Sequence, residues 1–200
     1  ELVAIPINEK TPVSTLHWIV ADKNGKSIVI EKTKKGLDVY DNPIGAVTNS
    51  PTFDWHLTNL NEYMKTNPLQ PKPVNWQDKE LKPMGVGAGT NGLPGGFGGV
   101  DRFVRIAYLK GTLSETQDLD TGISQFFHML NNVAMPRGAV ISENLDDITM
   151  YASCMCQQKG IYYYKTYNSY GINAIDMNKE DLDAKEIKRF EYIDKLHISY

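Results

Sequence analysis

Asn24-Gly25 stands between two apolar runs, residues 16–21 and 27–31. This dipeptide, within Asp22-Lys23-Asn24-Gly25-Lys26, is the strongest short signal for an antiparallel hairpin. Lys35-Gly36 marks a second turn and residues 37–40 a third strand. A fourth strand is expected at 46–49, ending at Pro51. The first third is therefore an antiparallel meander.

Residues 53–64 then read as a helix. Phe53, Leu57, Leu60 and Met64 fall at helical spacing, and Asp54 sits in the first turn, where a carboxylate is favoured. Residues 67–100 form a long irregular stretch rich in proline and glycine, and such loops inside a compact domain are usually functional or disordered. Helices are expected at 102–110 and at 120–135, the second with Ile123, Phe126, Phe127, Leu130 and Val133 as its apolar stripe. Strands return at 148–156, 161–167 and 171–177, with a final edge strand at 190–193. Strands, helices, strands in that order suit an α+β fold, a four-layer αββα sandwich of two antiparallel sheets flanked by helices. Residues 1–200 read as a single domain.

Charge excludes some functions. Basic and acidic residues number 21 and 24, a net charge of −3, which argues against nucleic acid as a partner. No apolar run reaches the ~18 residues that a membrane helix needs. Cys154 and Cys156 lie two apart in a predicted strand, so they share a face, and neighbours at that spacing do not suit a disulfide. They read as core packing in a reducing, cytoplasmic location. The four histidines, His17, His56, His128 and His197, are scattered and read as packed or surface residues. No metal or other cofactor is expected. Gly87-Ala88-Gly89-Thr90-Asn91-Gly92 is a formal G-x-G-x-x-G, but it follows no strand and no βαβ unit surrounds it, so it reads as a close-packed or flexible loop.

The chemistry gathers in two places. Thr48-Asn49-Ser50-Pro51-Thr52-Phe53-Asp54-Trp55 delivers one amide side chain, Asn49, into a turn. Leu93-Pro94-Gly95 and Asp101-Arg102-Phe103-Val104-Arg105 deliver a cation, Arg102, at the start of a helix. A cation there opposes the helix dipole, which hints that another group holds it. An amide dipole and a fixed positive charge suit reactions that build negative charge on oxygen or sulfur. No residue near Glu1 suits a nucleophile, so the chain reads as most of an enzyme whose catalytic end lies outside it.

The residues just quoted, together with Leu16-His17-Trp18, Val39-Tyr40-Asp41-Asn42-Pro43, Phe126-Phe127-His128, Lys159-Gly160-Ile161-Tyr162-Tyr163-Tyr164 and Ala174-Ile175-Asp176-Met177, resemble the choloylglycine hydrolase family. That family holds the bile salt hydrolases and penicillin V acylases, which are N-terminal nucleophile hydrolases. The resemblance runs from about Thr11 to the end and looks closer to the bile salt branch. It implies an amide hydrolase whose nucleophile is a cysteine exposed at the mature N-terminus, in a segment before Glu1. It implies that Asn49 is the oxyanion-hole asparagine and Arg102 the active-site arginine beside the nucleophile. It places Ile5 and Ile7 in an apolar substrate loop. The implied substrate is a small molecule, a glycine- or taurine-conjugated bile acid, and the implied assembly is a homotetramer. The alternatives are a penicillin V or other acyl-amide hydrolase, and a non-catalytic fragment that binds a ligand or subunit. The chain alone is expected to be inactive.

The chain departs from the family pattern at Gly95-Gly96-Phe97-Gly98-Gly99, which predicts a looser loop before Arg102. At Asp101 the neighbouring carboxylate is expected to compete for the guanidinium. Pro136 is expected only to mark a helix end.

Overall fold

The computed structural model describes residues 4–8 and 11–199, with side chains from residue 16 onward. The chain divides into two compact units, Glu1–Ser114 and Glu115–Tyr200, and each is described by itself.

In the first unit, β1 (Ala4–Asn8) pairs antiparallel with β2 (Thr11–Thr15). Next come β3 (His17–Ala21), β4 (Ser27–Thr33) and β5 (Gly36–Asp41), an antiparallel sheet in the order β3-β4-β5. The hairpin forms at the expected place, through the five residues 22–26 between β3 and β4. Of the Asn-Gly pair Gly25 alone takes positive φ, 84°, and the Asp22 carboxylate accepts from the Asn24 and Lys26 N–H groups at 2.8 and 3.0 Å. Register aligns Ile19, Val29 and Tyr40 in one cross-strand row, and Trp18, Ile30 and Val39 in the next. Strand neighbours point to opposite faces, so both faces of this sheet carry apolar rows. The Val29 face is covered over β4, while Ile19 at its β3 edge stays exposed. Val29, Ala46, Phe53 and Phe103 form the core cluster, with Tyr40, Ile44, Leu57 and Ile106 packed around it. On the other face Trp18 and Val39 remain exposed.

The fourth strand expected at 46–49 does not form; these residues have no ladder. Asn42 explains it. Its side chain donates to the Ala46 carbonyl at 3.2 Å and accepts the Gly45 N–H at 2.7 Å. The segment's polar groups thus close on a local loop instead of a neighbouring strand. The predicted helix 53–64 is shorter. α1 spans Phe53–Asn59, and a 3-10 turn at Leu60–Tyr63 replaces its end, the common way for a last turn to tighten. The 67–100 stretch is less irregular than expected. It holds a hairpin of β6 (Val74–Trp76) and β7 (Lys79–Leu81) and a 3-10 turn at Ala88–Thr90. The glycine run there serves packing: a Cβ on Gly89 would lie 2.1 Å from the Leu69 carbonyl oxygen. α2 (Gly99–Thr112) begins earlier than the predicted Arg102. Extended Gly98 caps it and accepts the Arg102 N–H at 3.0 Å, while Asp101 places a carboxylate in the first turn.

Buried Glu31 ties sheet to helix by accepting the Phe53 N–H at 2.9 Å. Across β3–β4 from it stands His17. Burial holds the His17 imidazole below its ordinary value of 6.5; Glu31 opposes this and His56 adds to it. A histidine whose pKa is depressed on folding gives stability that is full above its unfolded pKa and lost as pH falls through the folded one. Denaturant unfolding should therefore show lower stability at pH 5 than at pH 7, and His17→Phe should flatten that dependence. An unchanged pH slope in the variant would remove His17 as its source.

In the second unit, α3 (Leu119–Asn131) is capped by Asp118, whose carboxylate accepts the Thr121 N–H at 2.8 Å. Ile123 and Phe127 are its buried residues. It ends before the expected 135, where Asn132 turns back to donate to the His128 carbonyl. A hairpin absent from the sequence expectations follows, β8 (Ile141–Ser142) and β9 (Leu145–Asp146), its turn made by positive φ at Glu143 and Asn144. β10 (Tyr151–Cys156), β11 (Ile161–Thr166) and β12 (Asn173–Asp176) form an antiparallel sheet in that order. The edge strand expected at 190–193 does not form; these residues have no ladder. Side chains hold it instead: Tyr164 and Thr166 donate to the Glu191 and Ile193 carbonyls, and Asp194 accepts from the backbone and side chain of Asn168. Cys154 and Cys156 are free and half-buried on β10, and burial pushes the Cys154 thiol up, away from reactive thiolate.

Among the described residues no helix is long and apolar enough to cross a membrane.

Candidate active site

Asn49 lies on the loop between β5 and α1, seven residues before His56 and exposed at its tip. Arg102 lies in the first turns of α2. They are 53 residues apart in sequence, and the fold brings them into contact: the Arg102 Nη2 donates to the Asn49 side-chain oxygen. Arg102 Nε donates to the Phe97 carbonyl at 2.9 Å. The cation at an unfavourable helix end is thus held by two oxygens. The close approach has a steric condition. A Cβ on Gly99 would lie 3.1 Å from the Ser50 carbonyl oxygen and 3.3 Å from the Asn49 Cβ, so α2 can start against the Asn49 loop because its first residue lacks a side chain.

The Arg102 contact also fixes which way the Asn49 amide faces. A guanidinium only donates, so the group facing it is the carbonyl oxygen. The Nδ2 N–H groups are turned away from Arg102.

The loop before Arg102 is not loose. Buried Arg105, one helical turn on, donates through Nη1 to the Pro94 carbonyl at 2.8 Å and to the Gly96 carbonyl at 2.6 Å. Asp101 accepts the Gly96 N–H at 2.9 Å. Together with Arg102 on Phe97, these bonds tie residues 94–97 to α2. Asp101 does not compete for Arg102 in the expected way; its carboxylate is turned to the loop. Arg105 was visible in the sequence only as part of the Arg102-Phe103-Val104-Arg105 motif. Its i, i+3 spacing from Arg102 was the available signal for a shared helix face.

Beneath the site His56 is 1% exposed. Its ring stacks on Phe103 with centroids 4.7 Å apart, and its Nε2 lies 2.8 Å from the Asn49 carbonyl oxygen. Near the helix start the Asp54 carboxyl is held below the usual carboxylate range, chiefly by the Thr52 hydroxyl that donates to it.

Ile5 and Ile7 fall on β1, whose side chains lie outside the described residues. An open cleft of about 510 Å³ lies between the β6–β7 hairpin and the 3-10 turn, lined by Pro71, Val74, Leu81, Met84 and Val86 among others. Neither Asn49 nor Arg102 lines it. Among the described residues no group of His, Cys, Asp or Glu is placed to hold a metal ion.

Known proteins resemble this chain closely. The family described as linear amide C–N hydrolases, choloylglycine hydrolase family, matches residues 1–190. A bile salt hydrolase/transferase of Clostridium perfringens is 49% identical over 200 residues, covering 100% of this chain and 61% of that protein. The crystal structure of a mutant conjugated bile acid hydrolase from Clostridium perfringens matches with a TM-score of 0.87 at 48% identity, over 98% of this chain and 60% of that one. The structure of a penicillin V acylase from Agrobacterium tumefaciens matches with a TM-score of 0.65 at 25% identity, over 87% of this chain and 49% of that one. The chain thus spans about 60% of the length of the bile salt relative. The α+β class expected from the sequence agrees with these likenesses.

Proposed function

The chain belongs to the choloylglycine hydrolase family of linear amide C–N hydrolases, and from that premise we propose that it is the part of a bile salt hydrolase that supplies the oxyanion-hole amide and the active-site arginine. The observation that carries this is the Arg102 guanidinium on the Asn49 amide oxygen, which leaves the Nδ2 N–H groups to donate elsewhere.

The reaction cleaves the glycine or taurine amide of a conjugated bile acid. A cysteine thiolate, in a segment outside this chain, attacks the acyl carbon, and the carbonyl π pair moves to oxygen. Asn49 Nδ2–H donates to that oxyanion. The oxyanion collapses, the C–N bond breaks, and the amine leaves with a proton from the cysteine's own amino group. Water then hydrolyses the thioester. Arg102 lowers the thiol pKa and holds charged groups in register. The family resemblance assigns Ile5 and Ile7, which fall on β1, to the apolar surface that would receive the steroid body.

Several features support the remainder of the proposal. The open apolar row of Trp18 and Val39 on the β3–β5 sheet fits a further layer from the proposed segment that carries the cysteine. The family match runs across the division between the two units, which supports one domain. Val74 and Trp76 on the β6–β7 hairpin and Met84 and Val86 just after it are exposed, a surface that fits contact between copies in a homotetramer. The free thiols fit a cytoplasmic protein. The higher identity to the bile salt enzyme than to the penicillin V acylase favours bile salts as substrate.

The test is hydrolysis of taurocholate, glycocholate and penicillin V by the full-length protein and by Arg102→Ala. Faster cleavage of a bile salt, with acylation in the variant down about 10²-fold, the scale of one lost charge-stabilising group, is the expected result. Preference for penicillin V would overturn the substrate. Near-normal thiol alkylation and turnover in the variant would overturn the role of Arg102. The chain alone should cleave none of the three.

A further inference from the structure

His56 is a buried, polar, aromatic side chain with no role in the chemistry just described. Packing alone would suit phenylalanine here. The ring stacks on Phe103, meets the edge of Trp55 at 5.6 Å, and is closed from solvent. A buried imidazole in such a place costs desolvation of its two nitrogens unless they are bonded. Only Nε2 is bonded, at 2.8 Å from the Asn49 carbonyl oxygen. Nδ1 is buried without a hydrogen-bond partner. The acceptor is a carbonyl, so Nε2 carries the proton. Nδ1 is then best left as a bare lone pair, because an unpartnered N–H there would be more costly. One directed bond remains, and it is spent on the backbone of one residue.

That residue is Asn49. Its side-chain oxygen is held by Arg102 and its backbone oxygen by His56. It sits on a loop, where a lone amide side chain samples several rotamers. With both oxygens anchored, from α2 on one side and from α1 on the other, the Nδ2 N–H groups keep one direction. An oxyanion hole works through donors aimed before the charge develops, and a misplacement of about 1 Å is enough to cost up to 10²-fold in rate.

We propose that His56 is a positioning residue for amide hydrolysis, fixing the backbone of Asn49 so that its side-chain N–H meets the oxyanion. This rests on the oxyanion role proposed above for Asn49.

The test is a double-mutant cycle in the full-length protein with taurocholate as substrate. His56→Phe keeps the stack on Phe103 and removes the donor. His56→Gln places an amide N–H near the position of Nε2. The expected result is a fall in kcat of about 10-fold for His56→Phe, with KM within about twofold, since only the transition state gains from the aimed donor. His56→Gln should recover most of that loss. In an Asn49→Ala background His56→Phe should add nothing, because the group it positions is gone. Thermal unfolding of each variant reports folding separately. If His56→Phe does not fold, His56→Leu and His56→Gln carry the same comparison.

Unchanged kcat in the folded donor-less variant, or losses that multiply in the double variant, would overturn the positioning role and leave Asn49 in place. If Asn49→Ala alone keeps full turnover, the oxyanion role fails first and the proposal for His56 falls with it.

Discussion

Asn49→Ala in the full-length protein is expected to lower taurocholate turnover by about 10²–10³-fold, the scale of one lost oxyanion donor. The effect should fall on kcat and kcat/KM together, with KM little changed. The Asn49 side chain faces Arg102 with its oxygen, and in the oxyanion role proposed for it the N–H groups meet charge that exists only during the reaction. Two further observations sharpen the expectation. Asn49 is exposed, so truncation removes little buried surface and should leave the unfolding midpoint nearly unmoved. Truncation also releases the Arg102 guanidinium from one oxygen while its bond to Phe97 remains, so the arginine should stay near its place. Steady-state kinetics beside a thermal melt separate these effects. A variant with wild-type kcat would take Asn49 out of the mechanism. A variant that loses activity and melts much lower would show instead that Asn49 supports the loop.

How far the sequence reveals the fold depends on where each polar group finds its partner. The Asn24-Gly25 hairpin and the strands around it were legible because the turn requirement is local. The apolar stripe of α3 was legible for a similar reason, since helical periodicity lies in the order of residues. The strand expected at 46–49 fails because Asn42 takes the Ala46 carbonyl, a competition that alternation of apolar residues does not report. The edge strand at 190–193 fails similarly: its carbonyls go to the hydroxyls of Tyr164 and Thr166, which are remote in sequence. The small β8–β9 hairpin was hidden because Glu143 and Asn144 are not the usual pair for positive φ.

The candidate site divides along the same line. Asn49 and Arg102 stood out as candidates through motif resemblance, and the poor placement of a cation at a helix start pointed to a partner for Arg102. That the partner is the Asn49 oxygen required the fold, because 53 residues separate them. Arg105 and His56 were legible as residue types and not as roles. Both act through backbone carbonyls, at Pro94, Gly96 and Asn49. A carbonyl has no side-chain identity, so sequence pattern carries no mark of which one is used.

Phe103→Ala should produce the largest loss of stability in the first unit, about 3–5 kcal/mol by the usual cost of deleting a buried aromatic ring. Phe103 is 1% exposed and belongs to the cluster with Val29, Ala46 and Phe53. Its ring meets Phe53 edge-on at 6.2 Å and an interplanar angle of 83°, a favoured aromatic geometry. It also stacks on the ring of His56, and Arg102 precedes it on α2. One side chain therefore joins the core, the imidazole under Asn49 and the helix that carries the arginine. Deleting it leaves a void beside His56, and a ring without its stacking partner can shift toward that void. Turnover should consequently fall further than the folded fraction falls, whereas Phe103→Leu, which refills most of the space, should lose less of both. Denaturant unfolding and taurocholate turnover, measured where each variant is fully folded, check this. A loss below ~1 kcal/mol for Phe103→Ala, outside the range for a buried ring, would mean the core is not built on this residue. Activity that tracks the folded fraction alone would mean the core supports the helix without reaching the site.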